Sequence, residues 1–252
     1  MKHKTLTKLL LVFLILVFLG SGGILLQKQL DYRNGAQNYD EASTLAHAEI
    51  PDSTTDIPLQ VPYDETVAQI DLDALQAVNP EVAGWILIPG TDISYPILQG
   101  SDNNYYLNHT WDRSRNSVGA IFLDYRNTRP LTDFNSILYG HKMNNDSMFG
   151  LLHQYKNEAF WSAHPNLFLA DEGGVRTFDI FAYYETGTMN TYSLEFPDTT
   201  AKQAYIDECL SQSWVDTGIL PDPDDCILTL STCTGRGHAT RWVVQAVCST
   251  PN

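Results

Sequence analysis

The sequence predicts a mostly β domain, a small barrel or a sandwich, attached to an N-terminal membrane helix. Eight short runs rich in Ile, Val, Phe, Tyr and Trp are separated by turn residues, a pattern typical of strands. The composition agrees, because 18% of the residues are charged, 11% are aromatic, and 16 Gly and 12 Pro supply many turns. An uncharged run near the N terminus predicts the membrane helix.

Length and charge limit the classes of function. The chain has 252 residues, 43% of them apolar, which is enough for one or two domains with a packed core. Lys and Arg total 15 against 30 Asp and Glu, giving a net charge of −15. Because nucleic-acid binding depends on basic side chains that neutralise phosphates, this balance argues against a nucleic-acid partner.

The N-terminal residues have the pattern of a signal anchor. Three lysines precede an uncharged run over residues 9–26, which as a helix would span about 27 Å, close to the thickness of the bilayer core. Basic residues before the run predict a cytoplasmic tail over residues 1–8 and export of everything that follows. The alternative is a cleaved signal peptide, since the small residues at 20–23 resemble a cleavage site.

The exported part divides in two by composition. Residues 27–70 are polar, with a loose helical pattern over 31–47 that lacks a firm apolar stripe, and we interpret them as an extracellular stalk, partly helical. A compact domain is predicted over residues 71–252. It begins at Asp71 because this residue is placed to cap a short amphipathic helix that Pro80 ends.

The eight predicted strands lie within this domain, in chain order. They are Gly84–Pro89, Ile93–Leu98, Val118–Leu123, Ser136–Gly140, Asn166–Ala170, Val175–Glu185, Cys226–Thr232 and Arg241–Cys248.

Two helical segments interrupt the strands. Met148, Leu151, Leu152 and Tyr155 follow Asp146 at helical spacing. A second helix is predicted within residues 196–219, between the sixth and seventh strands, where Thr200 and Gln203 form a capping box. The helices are therefore accessories to a sheet.

The cysteines direct the search for chemistry. Positions 209, 226, 233 and 248 have neither the spacing of a disulfide framework nor a CxxC pair, although the sequence leaves open a bond between Cys226 and Cys248. The motifs HExxH, GxSxG and GxxxxGK are absent, so neither a zinc site, a serine hydrolase nor a P-loop is indicated. We interpret Cys209 and Cys248 as packing residues, and we expect acidic neighbours to raise the pKa of the Cys226 thiol.

Cys233 is the candidate nucleophile. It ends an apolar strand and precedes a flexible, locally basic loop, so the strand would fix the sulfur while the loop admits a substrate. A thiol needs a partner that moves protons. His141 also ends an apolar strand, and His238 lies five residues past the cysteine, so both are candidates.

A cation near the thiol would stabilise an oxyanion. Arg241 begins the strand after the Cys233 loop, and an antiparallel return would bring it level with the sulfur. Arg236, inside the loop, is the alternative.

These residues together resemble a known family. Tyr139-Gly140-His141, Thr229-Leu230-Ser231-Thr232-Cys233 and Arg241 resemble the catalytic signature of the sortases, the membrane-anchored cysteine transpeptidases of Gram-positive bacteria. The resemblance runs from about residue 70 to residue 247. The helical insertion over residues 196–219 resembles the extra helix of class B.

The resemblance implies a closed eight-stranded barrel and a reaction. Cys233 would attack a C-terminal sorting signal, NPxTN-like, after its threonine and form a thioacyl-enzyme. His141 would exchange protons with the departing and incoming amines, and Arg241 would stabilise the oxyanion with the backbone N–H of Thr234 as a second donor. Ser231 and Tyr192 match positions that line the substrate groove.

The family further implies partners and a location. The acceptor would be an amine of a peptidoglycan cross-bridge or a pilin lysine, and no metal or organic cofactor is implied. The enzyme would be a single-pass protein of the cell membrane with its catalytic domain outside. The alternatives are a papain-like cysteine protease, which lacks its CGSCW-type context here, and an anchored binding module whose cysteine is inactive.

Overall fold

A long N-terminal helix leads into the barrel. The structure is a computed structural model that describes residues 2–48, 63–187, 189–235 and 239–249, with only the backbone at 2–9 and 12. Helix α1, Lys2–Leu45, is continuous and about 66 Å long at 1.5 Å per residue. Among the described residues it is the one helix with the length and apolar composition to cross a membrane.

Eight strands form a closed mixed barrel, as predicted. Their order around the barrel is β1-β2-β3-β4-β7-β8-β6-β5. The pairs β2/β3 and β4/β7 are parallel, and the other six are antiparallel. The bounds are β1 Val82–Leu87, β2 Ser94–Leu98, β3 Ile121–Leu123, β4 Asn135–Tyr139, β5 Asn166–Asp171, β6 Gly174–Thr186, β7 Ile227–Cys233 and β8 Arg241–Cys248.

Each strand coincides with a predicted apolar run. The largest difference is at β3, where the expected start at Val118 moves to Ile121. Residues 116–120 instead follow a loop in which Gly119 has φ +62°, a conformation that interrupts a strand.

Besides α1, the described part of the chain has four short α-helices. Their bounds are α2 Tyr63–Ala68, α3 Leu72–Val78, α4 Glu158–Ala163 and α5 Thr199–Gln212. The expected cap of α3 is confirmed, because the Asp71 side chain accepts from the Ala74 N–H at 2.9 Å. Helix α5 lies between the sixth and seventh strands, as predicted.

Two helical details differ from the sequence expectations. The N-cap of α5 is Asp198, whose carboxylate accepts from Ala201 N–H at 2.8 Å, so the predicted capping box at Thr200 and Gln203 is wrong. Asp198, two residues before Thr200, caps the helix instead, because its carboxylate is a stronger acceptor than a hydroxyl for the free N–H groups of the first helical turn. The segment after Asp146 is a 3₁₀ helix, Gly150–Lys156, and Met148 lies outside it because its φ of +55° is not helical.

The barrel has a packed interior and a second apolar layer outside. Residues that alternate along β7, such as Leu228 and Leu230, point into the main core. Ile227 belongs to an outer cluster, in which Tyr205 and Cys209 of α5 cover the sheet. The outer side of β7 and β8 is therefore shielded near α5.

The C-terminal turns of α1 pack on the barrel. Tyr39, Ala42 and Ala46 are buried with the main core, and Trp111 Nε1–H donates to the Asn38 carbonyl at 2.9 Å. The described part of the expected stalk is thus not separate from the barrel: residues 31–48 contribute to its packing. Residues 49–62, the middle of that stalk, lie outside the described part of the chain.

Candidate active site

Cys233 and Arg241 lie opposite each other on two neighbouring strands. The antiparallel ladder of β7 and β8 pairs Cys233 directly with Arg241, the last residue of one strand with the first of the next. Side chains of directly paired residues leave the same face of a sheet, which brings the sulfur and the guanidinium to one side. The Nη1–H of Arg241 donates to the Thr240 carbonyl at 3.1 Å, which holds the guanidinium at this end of the barrel.

His141 emerges beside the cysteine. The parallel ladder of β4 and β7 pairs Tyr139 with Ser231, and two bonds extend the contact past the strand end. Gly140 N–H donates to the Ser231 carbonyl at 3.2 Å, and the Thr232 hydroxyl donates to the Gly140 carbonyl at 2.8 Å. Continuing this register by two residues sets His141 level with Cys233.

The residue before His141, Gly140, leaves room for the side chains packed against it. A Cβ at this position would lie 2.4 Å from Ile121 Cδ1 and 2.7 Å from the Phe149 ring. A larger residue would therefore displace the chain just before the imidazole.

One hydrogen bond fixes the tautomer of His141. Its Nε2 lies 2.6 Å from the Leu107 carbonyl oxygen. Because a carbonyl oxygen only accepts, the contact requires a proton on Nε2. The imidazole is half-buried, so the ring remains reachable from solvent.

The other thiols have different surroundings. All four cysteines are free, which answers the question that the sequence left open for Cys226 and Cys248. Burial raises the pKa of the Cys209 thiol to about 11. Burial also raises the pKa of Cys226, with the neighbouring Cys248 as the next cause; Asp225, one of the acidic neighbours, contributes less. Among the described cysteines, Cys233 is the one that the strand register sets level with both His141 and Arg241.

Comparison with known proteins identifies the family. A family model described as Sortase domain matches residues 86–249, more than half of the chain. A protein named Sortase B from Listeria monocytogenes is 42% identical over 166 residues, which are 65% of this chain and 67% of that protein. The chain belongs to the sortase family.

Solved structures agree with a class B sortase. Sortase B from Bacillus anthracis in complex with AAEK1 has a TM-score of 0.73 at 30% identity, covering 88% of this chain and 99% of that one. A sortase B complexed with triglycine has a TM-score of 0.70 at 27% identity, covering 90% of this chain and 99% of that one. The sortases are cysteine transpeptidases, so this chain is an enzyme of that type, and a papain-like protease is excluded.

The two predicted groove residues of this sortase are in contact. The hydroxyls of Tyr192 and Ser231 are 2.9 Å apart. Burial raises the pKa of Tyr192, with smaller opposing effects from Arg241, which lowers it, and Cys233, which raises it. Because Ser231 lies two residues before Cys233 on β7, its contact with Tyr192 holds the phenol beside the strand that carries the thiol.

Thr234 continues the chain beyond the cysteine. Its side chain is buried and its hydroxyl lies 3.0 Å from that of Thr240, which closes the loop between β7 and β8 at its base. Arg236 and His238, the alternative cation and imidazole, lie outside the described residues.

A buried carboxylate behind the groove was missed by the sequence analysis. The Asp124 side chain is fully buried and accepts from Tyr139 OH at 3.0 Å and from the Arg126 Nη2–H at 2.8 Å. The Tyr139 ring lies 6.1 Å from that of Tyr192. The usable signal was an aspartate that directly follows the apolar run Ile121–Leu123.

A cavity adjoins this network. It measures about 450 Å³ and lies between Arg126 and the segment 192–195. Within the described residues, no group of three or more His, Cys, Asp or Glu side chains is arranged to hold a metal ion.

Proposed function

We propose that this sortase cleaves an NPxTN-like sorting signal after its threonine and transfers the acyl group to an amine outside the cell. The observation that carries the proposal is the pairing of Cys233 with Arg241 while the β4/β7 register sets His141 level with the same cysteine. Three groups required for acyl transfer thereby meet at one end of the barrel.

Cys233 is the nucleophile in this proposal. The thiol gives its proton to His141 as its sulfur bonds to the threonine carbonyl carbon, and the tetrahedral intermediate collapses as the C–N bond breaks. The product is a thioester between the signal and the enzyme. The strand fixes the sulfur, while the sequence after Cys233 leaves the barrel as a loop.

His141 moves the protons. It gives a proton to the departing amine, and it takes one from the incoming amine when that amine attacks the thioester and expels the sulfur. The bond to the Leu107 carbonyl supports this role because it keeps the Nε2 proton in place and orients the ring, so that Nδ1 is the nitrogen that takes and gives the transferred proton.

Arg241 carries the positive charge opposite the oxyanion. The planar guanidinium, held at this end of the barrel by the Thr240 carbonyl, is a permanent cation with a planar fork of N–H donors, which matches a developing oxyanion. The backbone N–H of Thr234 is the proposed second donor, because it directly follows the nucleophile.

Ser231 and Tyr192 form the wall that binds the donor peptide. Ser231 precedes Cys233 by two residues, so its side chain leaves the same face of β7. The joined hydroxyls offer donors and acceptors to an extended peptide, which suits the polar Asn and Thr of the motif.

The acceptor is an amine of a peptidoglycan cross-bridge, with a pilin lysine as the alternative. A solved sortase B is complexed with triglycine, which supports a glycine amine as the first probe. The membrane helix and the lysines before it orient the catalytic domain outward.

The test uses the full chain in detergent micelles, an NPxTN-like peptide and triglycine. Cys233→Ala should abolish both cleavage and transfer, whereas Cys226→Ala, the matched control, should leave them unchanged. Mass spectrometry should find a thiol-reactive sulfonate on Cys233. An active Cys233→Ala variant would overturn the proposal. If adding triglycine left the cleavage products unchanged, the reaction would be hydrolysis without transfer.

The roles of the other two groups have separate tests. His141→Ala and Arg241→Ala should each lower kcat/KM by roughly 10²-fold or more. Arg241→Lys should also be impaired because the planar fork is lost. Near-normal kinetics in Arg241→Lys would limit this residue to a simple charge.

A further inference from the structure

The last turns of the membrane helix contact the loop that surrounds the proposed general acid. Gly35, Tyr39 and Ala42 recur at helical spacing along α1, Ala46 follows one residue past its end, and all four are buried against the barrel. The Tyr39 side chain is 7% exposed. This stripe gives the helix a fixed rotation against the barrel.

Tyr39 reaches the neighbourhood of His141 through one glycine. Its hydroxyl donates to the Gly119 carbonyl at 2.6 Å. Burial raises the pKa of Tyr39, so the phenol stays protonated and remains a donor. Gly119 lies against the imidazole, because a Cβ at that position would be 3.0 Å from His141 Cδ2. One residue therefore separates the membrane helix from the ring.

Further bonds hold the same loop. Asn116 Nδ2–H donates to the Asp31 carbonyl at 3.0 Å, and the Ser117 hydroxyl donates to the Asp31 carboxylate at 3.0 Å. The segment held in this way runs back to Leu107, whose carbonyl accepts the His141 proton. Both contacts of the imidazole thus belong to a segment that α1 holds.

Tyr39 also acts on the backbone at His141. Its ring meets that of Tyr95 edge to face, with centroids 5.2 Å apart. The Tyr95 hydroxyl accepts from Met148 N–H at 3.1 Å, and the next N–H, of Phe149, donates to the His141 carbonyl at 3.0 Å. The side chain and the backbone of His141 are therefore supported through the same tyrosine.

We infer that Tyr39 is a positioning residue for His141, so that the juxtamembrane end of α1 is part of the catalytic unit. The inference rests on the proposed proton-transfer role of His141. Misplacing a general acid by a fraction of an ångström lowers the rate of the chemical steps and leaves donor binding unchanged.

The first test is Tyr39→Phe in the full chain in micelles. This variant keeps the ring against Tyr95 and removes the bond to Gly119. We expect kcat for transfer to triglycine to fall by about tenfold or more, with KM for the donor peptide unchanged. Rates are normalised to the fraction of Cys233 that reacts with the thiol-reactive sulfonate, which corrects for misfolded protein.

Tyr32→Phe is the matched control. Tyr32 lies two helical turns earlier on the same side of α1, is half-buried, and makes no hydrogen bond from its hydroxyl to the described residues. Its kcat should equal that of the wild type. The ¹⁵N signals of the His141 imidazole, assigned by their loss in His141→Ala, should shift in Tyr39→Phe and stay in place in Tyr32→Phe.

A second variant, Gly35→Ala, tests the same inference by adding a methyl group between α1 and the loop. A methyl group in Gly35→Ala would lie 2.7 Å from Val118 Cγ2, next to Gly119, while alanine favours the helix. It should lower kcat in the same way. Gly23→Ala is its control, because nothing lies within 4 Å of that added methyl group.

The outcomes are distinguishable. Unchanged kcat in both Tyr39→Phe and Gly35→Ala would overturn the inference, and so would a lower kcat without a shift of the His141 signals. An active Cys233→Ala variant would instead overturn the proposed function, and that measurement does not depend on Tyr39.

Discussion

Asp124→Asn removes the buried charge that organises the hydrogen bonds behind the proposed substrate groove. The two carboxylate oxygens accept five hydrogen bonds, from Arg126 N, Nε and Nη2, Asn103 Nδ2 and Tyr139 OH. Asparagine has nearly the same shape, so the substitution changes charge and hydrogen bonding and leaves no cavity.

The magnitude follows from the bonds that asparagine cannot accept. Its remaining oxygen keeps the two bonds at Oδ1, from Arg126 N and Nε. Its amide nitrogen then faces the three donors that Oδ2 served, from Arg126, Asn103 and Tyr139. Bonds to a buried charge contribute about 1.5–3 kcal/mol each, but the Arg126 side chain is 46% exposed, so its share is close to that of a surface pair. The Asn103 and Tyr139 bonds therefore account for nearly all of the effect, and we expect a total loss of about 3–6 kcal/mol in the free energy of unfolding.

The pH dependence gives the effect a signature. Burial alone would raise the pKa of Asp124, but the hydrogen bonds from Arg126, Asn103 and Tyr139 outweigh it and leave the pKa below its ordinary value of 3.8. The stabilisation from this carboxylate is therefore present above the unfolded-state pKa, about 4, and is lost as pH falls through the lower folded pKa. The wild type and the variant should differ most near neutral pH and converge in acid.

Thermal unfolding of the full chain in micelles, followed by near-UV circular dichroism from pH 7 into acid, measures this difference. KM for the donor peptide should also rise, since the Tyr139 ring packs toward that of Tyr192. A constant difference between the two proteins at every pH would refute the assigned charge effect. Equal stability of the wild type and Asp124→Asn at pH 7 would refute the expected loss of unfolding free energy.

Three further changes have direct readouts. Arg176→Met should lower the free energy of unfolding by about 3–5 kcal/mol in denaturant titrations, because it leaves the buried Asp171 without its cation; a neutral result would contradict the buried pair. Tyr192→Phe, which loses the 2.9 Å contact with the serine hydroxyl, should raise KM for the donor severalfold with little change in kcat; the reverse split would assign it to the chemical step. Asp198→Ala should cost about 1 kcal/mol and Thr200→Ala under about 0.5, and equal costs would contradict the observed cap of α5.

The active-site residues show how far local patterns reach. His141, Cys233 and Arg241 each stand at the end of an apolar strand, and that position alone marked them as candidates. Runs of β-branched and aromatic residues bounded by turn residues also predicted all eight strands. The resemblance to the sortases supplied the closed barrel and the assignment of nucleophile, proton carrier and oxyanion stabiliser to these three residues.

Residues that act through distant partners gave weaker signals. Gly35, Ala42 and Ala46 are small, so the helical stripe that α1 buries has little hydrophobicity, and residues 31–47 resembled a stalk. Small side chains let the helix approach the barrel closely, and only the opposing surface reveals that fit.

The sequence by itself determined the long apolar N-terminal helix, the succession of strands and the candidate residues for acyl transfer, because these depend on local composition and on the chemistry of single side chains. Only the tertiary structure decided which strands are neighbours, that β4 runs parallel to β7, and that Tyr39 meets Gly119 across 80 positions of chain. Contacts of such separation depend on how the barrel closes, and the free energy of that closure belongs to the packed core as a whole and to no local segment.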